Sequence, residues 1–481
     1  MRLLTFEEHS SVLAAWWSLA SGARTLLYFD AHLDLQQVST QRLGRLEACT
    51  SPQDVAELNK PHHLCPDHGF SYSLEDFLYP SHRLGLIERI IWVAPPHVNT
   101  AYTHAAFERL QQMDGVQFEE LLSFRRVQQS WIEGRLLGVD LTICDYRQLE
   151  KMKLPADTLV DIDTDFFIAL PDDAPWLRPF ELFRELAALS LTPELVTISR
   201  SVNSGFTPLR YRFLADHLAA LYAGRTADSG HFDRLFDLDA LARAGDREAA
   251  ATGCRSELEW HRTCPATWHL LSLTASDLRE VQAAQHQAAA LCPAYHDSIL
   301  REACAFPARH LPLELPALRA LEERFVVGHR SDLEDALTWT ALGLLHGHLG
   351  RVNAVRECYR QVVRHFGAHP ELAFALAKAL LQAQRPAEAL PLLQVALADD
   401  KTAAGAHMLM GTILASAGDA SQALAHWQAA SALAPAWPQL LDLRSALHAA
   451  MGDHREATRL RQRRHEFRQQ ELGLAQRLQR G

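Results

Sequence analysis

Two apolar runs in this chain end in clusters of carboxylates. Thr25-Leu26-Leu27-Tyr28-Phe29 leads into Asp30-Ala31-His32-Leu33-Asp34, and Thr158-Leu159-Val160 leads into Asp161-Ile162-Asp163-Thr164-Asp165. If each run continues as an extended strand, alternate residues share a face. Asp30, His32 and Asp34 then point one way, as do Asp161 and Asp163. Several carboxylates do not gather in a cleft unless something cationic neutralises them. Carboxylates mixed with imidazole suit a hard or borderline divalent ion, and shared carboxylates suit two. The pattern predicts a metallohydrolase. Taken singly, Asp30 could be the capping residue of a solvated loop, but a second acid-tipped run speaks against that.

Up to Arg225 the chain alternates β-rich runs with amphipathic stretches. The expected strands are Thr25–Asp30, Arg89–Ala94, Leu141–Asp145, Thr158–Asp163 and Leu195–Arg200, with helical patterns such as Thr103–Met113 and Pro179–Leu189 between them. Short, nearly all-apolar strands separated by helices indicate a parallel sheet covered on both faces. Ligands bind outside the carboxyl ends of such strands, where both acidic motifs fall.

From Thr226 onward the strand signal disappears and Ala, Leu and Gln dominate. Leu342, Leu376 and Met410 recur every 34 residues, and each precedes a small residue: Gly343, Ala377 and Gly411. Val355, Ala389, Ala423 and Ala457 mark a second small position, and Tyr359, Leu393 and Trp427 a bulky one. Pro435 closes the third unit, while Gly418 and Gly452 fall at turns. The pattern resembles the tetratricopeptide repeat, in which small residues let two antiparallel helices pack closely. The fold class expected is therefore α/β, a parallel sheet flanked by helices, followed by an all-α solenoid. The expected domains are a metallohydrolase domain at 1–226, a helical and vaguely repeat-like linker at 227–330, and a repeat domain at 331–475.

The formal net charge of −11 argues against non-specific nucleic-acid binding, which needs clustered Lys and Arg. A positively charged ligand or peptide is the more natural partner. The basic run from Arg455 to Arg468 reads as the polar face of a capping helix. The eight cysteines are scattered without a CxxC pair, as expected of reduced thiols in a cytoplasmic protein. No uncharged run reaches the ~20 residues of a membrane-spanning helix, so no membrane partner is expected.

Glu8-His9-Ser10 stands before an amphipathic stretch containing Val12, Leu13, Trp16 and Leu19, and Asp30-Ala31-His32-Leu33-Asp34 follows. With Asp161-Ile162-Asp163 on a later strand, this order of motifs resembles the arginase/ureohydrolase superfamily, with Glu8 in place of the usual Asp. The stretches Ser73–Pro80, Ile90–Pro96, Asp161–Phe167 and Thr197–Ser201 are similar to the UPF0489 family, some members of which are similar to peptide arginases. The resemblance covers residues 1–220.

That resemblance implies an arginase-like domain holding two manganese ions. His9, Asp30, Asp34 and Asp161 would hold one ion, and His32 and Asp163 the other, with Asp30 and Asp161 bridging. It implies hydrolysis of a guanidinium C–N bond, arginine within a peptide giving ornithine and urea. The catalytic residues would be Asp163, steadying the tetrahedral intermediate, and a histidine that protonates the leaving amine. His62, His63 and His68 are the candidates for that histidine, with His68 taken as the example. Glu75, Arg200 and Asn203 are candidates for substrate binding; equally, Glu75 could begin a helix and the other two could shape the loop around Gly205. Ile198–Asn203 carries no carboxylate where arginases engage the guanidinium, which points away from free arginine. Two rivals remain: a metal-dependent amidohydrolase such as a deacetylase, and a non-catalytic scaffold. In each case the repeats would bind a peptide or protein.

Overall fold

The computed structural model describes residues 1–19, 22–99, 109–127, 130–169, 173–309, 315–325 and 331–480. Its strands, in chain order, are β1 Arg2–Phe6, β2 Arg24–Phe29, β3 Ile87–Val93, β4 Arg125–Val127 and β5 Trp131–Leu136. They continue with β6 Val139–Cys144, β7 Leu159–Asp163, β8 Ile168–Ala169, β9 Ala174–Pro175 and β10 Leu195–Ser199. The chain forms two compact units, one of Met1–His9 with Val160–Gly328 and the other of Ser10–Leu159 with His329–Gly481.

In the first unit β1 pairs in parallel with β10, from Arg2 opposite Leu195 to Phe6 opposite Ser199. β10 in turn pairs in parallel with β7, ending with Ser199 opposite Asp163. Every residue of β7 and β10 is buried, as expected of strands covered on both faces. The helix Pro179–Ala188 buries Leu182 and Leu186, and the helix Phe213–Tyr222 buries Phe213, Leu214 and Leu218. The helices Thr226–Arg243, Arg247–Trp260, Pro265–Thr274 and Leu278–Leu291 then pack each against the next in chain order.

In the second unit β2 pairs with β3 and β3 with β6, all parallel. The expectation of a wholly parallel sheet is corrected at its edge, because β4, β5 and β6 form an antiparallel meander. The two-residue turn between β5 and β6 explains why. Leu137 and Gly138 both have positive φ, +51° and +83°, the geometry whose twist matches two adjoining antiparallel strands. Leu-Gly is not a common sequence for such a turn. Residues 103–108 of the expected helix Thr103–Met113 lie outside the described residues; residues 109–112 are helical.

From Asp332 onward the second unit is a helical repeat array. Its pairs are Asp332–His348 with Val352–Phe366, Pro370–Gln382 with Pro386–Ala396, Asp400–Ser416 with Ala420–Leu433, and Gln439–Ala450 with His454–Arg480. The small positions lie where helices meet. Val355, Ala389, Ala423 and Ala457 are fully buried, and a Cβ on Gly411 would fall 2.5 Å from the Trp427 ring nitrogen. The 34-residue register also covers the turns. Gly350, Gly418 and Gly452 have φ of +64°, +86° and +81°, and Gln384 takes the equivalent place at +59°.

The array also grips other parts of its own chain. Asp400 Oδ2 accepts from the Ser39 amide at 2.7 Å, and His369 Nε2 donates to the Leu64 carbonyl at 2.8 Å. The last helix is more than a polar cap. Its Phe467 stacks on Phe118 at 3.8 Å, and its Leu478 carbonyl accepts from Arg126 Nε at 2.9 Å. All eight cysteines are free thiols. Among the described residues no helix is long and apolar enough to cross a membrane.

Candidate metal centre

The parallel register of β1, β10 and β7 brings the carboxyl ends of three strands level, and His9 opens a short 3-10 turn (His9–Ser11) just beyond β1. His9 is buried, with Nε2 2.6 Å from Asp161 Oδ2 and Nδ1 3.0 Å from Asp163 Oδ2. Asp161 and Asp163 flank Ile162 on β7, so the expected alternation puts both carboxylates on one face. Thr197, opposite Asp161 in the register, donates its hydroxyl proton to that carboxylate. Ser201 Oγ donates to Asp163 Oδ2 at 2.5 Å, and the Asp165 amide donates to Asp163 Oδ1 at 3.1 Å.

The electrostatics follow from burial. Burial raises the pKa of Asp161, against the pull of the His9 charge, and raises that of Asp163 with help from Asp165. For His9 burial opposes the charged form, but the two aspartates outweigh it and hold the imidazolium well above its usual range. Burial, followed by the neighbouring Glu7 carboxylate, pushes Glu8 up to about 8, so it is mainly a neutral acid at pH 7.

In the second unit β2 ends at Phe29, and Asp30–Asp34 is irregular rather than extended. The strand alternation expected for Asp30, His32 and Asp34 therefore does not hold. A buried tyrosine organises the motif instead. The Tyr28 hydroxyl is 2.5 Å from Asp30 Oδ2 and 3.0 Å from Asp34 Oδ2, so one proton serves two buried carboxylates. The His32 amide donates to Asp30 Oδ1 at 2.6 Å, while its ring is 46% exposed, with Nδ1 3.5 Å from the same oxygen. Trp92 Nε1 on β3 donates to the Asp30 carbonyl at 2.9 Å, and the Leu78 amide donates to the Asp34 carbonyl.

The remaining candidates have partners within their own units. Glu75 is ion-paired with Lys401 of the repeat array. Arg200 donates to Asp216 Oδ1 at 2.7 Å and to the Arg212 carbonyl at 3.2 Å. Asn203 Oδ1 accepts from Arg301 at 3.2 Å. His68 is exposed, whereas His62 and His63 stack at 4.5 Å, and burial with the His62 charge pushes His63 well below the usual imidazole range. Asp67, beside His68, is bound by Lys60 and by Arg42, which also donates to Asp76 at 2.6 Å.

No family model matches this chain, and no curated protein matches it significantly. Among solved structures, MamA is 19% identical over 33% of this chain and 90% of its own, with a TM-score of 0.30. YrrB, described as a TPR protein with an unusual peptide-binding site, is 14% identical over 47% of this chain and 97% of its own, TM-score 0.26. TTC0263, a thermophilic TPR protein of Thermus thermophilus, is 16% identical over 46% and 98%, TM-score 0.17. The helical repeat itself is visible in the four helix pairs and their 34-residue register.

Chemically, the first unit presents buried oxygen ligands and an imidazole that would have to give up its proton to bind a cation. That donor set fits a hard or borderline divalent ion. Tyr28, Thr197 and Ser201 escaped the sequence reading. Tyr28 left a faint signal, since it stands only two residues before Asp30. Thr197 and Ser201 are ordinary hydroxyl residues until the strand register places them.

Proposed function

We propose that this chain is a metal-dependent hydrolase of C–N bonds, arginase-like in its chemistry and acting on the guanidinium of arginine within a peptide. One observation carries the reading: His9 spans Asp161 and Asp163 with both ring nitrogens, in a buried setting that ordinary folding does not favour. In the first unit the residues that would hold a divalent ion are His9, Asp161 and Asp163; in the second unit, taken by itself, they are Asp30, His32 and Asp34. Their oxygen-rich chemistry suits manganese. Bound ions would supply positive charge and Lewis acidity for hydrolysis.

The protein's own groups have separate duties. Tyr28 fixes the carboxylates of Asp30 and Asp34, Thr197 fixes Asp161, and Ser201 fixes Asp163. His9 would have to give up its proton for a cation to be held there. Asp163 would steady the charge that develops at the guanidinium carbon, and the leaving amine needs a proton, for which the loop histidines, His68 among them, are the candidates. A cationic peptide suits a chain of net charge −11.

The test is metal analysis of the purified full chain, followed by incubation with manganese and arginine peptides. Support would be about two retained ions per chain, release of urea, and loss of that release in Asp163→Asn. Acetate released from acetyl-lysine peptides, without urea, would replace this reading with a deacetylase. A scaffold is the second reading, favoured by the repeat array's grip on Ser39 and Leu64 of its own chain. Absence of both tightly held metal and turnover would select it.

A further inference from the structure

A second group of metal-ligating side chains lies in the helical part of the first unit. His231, Glu257 and His261 each offer one ligand atom, and the three atoms lie within 4.8 Å of one another. His231 belongs to the helix Thr226–Arg243, Glu257 to the helix Arg247–Trp260, and His261 directly follows that helix. Glu257 and His261 are four residues apart, so they fall on the same side of the helix end, facing the imidazole from the preceding helix.

The geometry is tight. His231 Nδ1 is 2.7 Å from Glu257 Oε2; the His231 and His261 rings stack with centroids 3.9 Å apart, so the partly buried His261 ring would turn out of that stack to aim a nitrogen at a shared ion. The other nitrogen of His231, Nε2, is held 3.0 Å from the hydroxyl of Thr267. Thr267 is fully buried on a third helix, Pro265–Thr274. Metal-binding imidazoles characteristically have their second nitrogen anchored in this way, which fixes the ring and directs the first nitrogen at the ion. His231 is buried while Glu257 and His261 are only partly so, leaving a route in from solvent.

We infer that His231, Glu257 and His261 bind a single zinc ion, the borderline divalent cation that two imidazoles and one carboxylate suit best, with Thr267 as a positioning residue. Three protein ligands leave a fourth position for water. The ion would tie the first two helices of this helical stretch together. This inference does not depend on the hydrolase reading, since it shares no residue with that centre.

The experiment is zinc titration of the full chain by calorimetry, alongside Glu257→Gln, His261→Ala and Thr267→Val, with circular dichroism to confirm folding. The native chain should bind one zinc equivalent more than His261→Ala or Glu257→Gln. Thr267→Val should weaken that equivalent about 10–100-fold. Zinc should also raise the native melting temperature, and the increase should shrink in His261→Ala. Identical zinc stoichiometry and affinity in native, Glu257→Gln and His261→Ala proteins would overturn the site. Failure of the other centre would lower the zinc count in all four proteins equally and leave this difference intact.

Discussion

Ser201 holds a left-handed backbone conformation, with φ of +46°, and from it donates a 2.5 Å hydrogen bond to Asp163 Oδ2. An L-residue in that region costs about 1–2 kcal/mol, a strain that persists only where the surroundings fix it. Here the Ser201 amide donates to the Glu7 carbonyl and its carbonyl accepts from Thr207, both at 2.9 Å. Ser201→Ala keeps the strain and loses the bond to a carboxylate, so it should destabilise by about 1.5–3 kcal/mol. Ser201→Gly should recover about 1 kcal/mol of that. Urea unfolding midpoints, at unchanged slope, measure both; an alanine variant as stable as the native chain would rule the bond out.

Tyr28→Phe tests the tyrosine that links Asp30 to Asp34. The ring should keep its place, since Tyr28 packs near Phe77 with centroids 6.5 Å apart, but the two carboxylates lose their common donor. Manganese affinity should fall about 10–100-fold while the melting temperature changes little. Competition with a metal indicator reads the affinity, and an unchanged value would show that the hydroxyl does not orient ligands.

His369 should make stability depend on pH. Its Nε2–H donates to Leu64 and its Nδ1 accepts from the Leu372 amide at 3.3 Å, which requires the neutral ring. Burial, with the Lys60 charge adding to it, pushes this histidine down to about 4, although the bond to Leu64 works the other way. The folded pKa lies below the unfolded value of about 6.5, so the unfolded chain takes up the proton first. The contribution is whole above pH 6.5 and is lost as the pH falls from there through 4, about 3 kcal/mol in all. His369→Asn still caps the helix without titrating. The difference in stability between native and variant chains should therefore shrink from pH 7 to pH 4; a constant difference would contradict the assignment.

Gln384 stands where the other three repeats have glycine, at φ of +59°. Gln384→Gly should stabilise the array by about 1 kcal/mol by relieving that conformation. Gly411→Ala should do the reverse, by about 1–3 kcal/mol, because its Cβ would meet the Trp427 ring. Thermal melts of the two variants should move in opposite directions.

Much of the fold was legible along the chain. β2, β3, β6, β7 and β10 appear as nearly unbroken apolar runs because helices cover them, and the repeat appears because closely packed helices need small residues at fixed intervals. The edge was harder to read. β4 and β5 carry Arg125, Arg126, Glu133 and Arg135, and an exposed edge imposes little pattern. The run through Asp34 looked extended, yet the backbone leaves the strand at Phe29, where hydrogen bonds from Trp92 and Leu78 hold the turn.

Residue types and their local periods settled the central strands and the repeat helices, and which segments carry carboxylates and imidazoles, because those preferences act within a turn or a few residues. Which side chains meet was decided by tertiary structure alone. His9 reaches Asp161 across 152 residues only because β10 pairs with both β1 and β7. A hydrogen bond needs its partners within about 3 Å, and no local pattern holds two such distant positions to that tolerance.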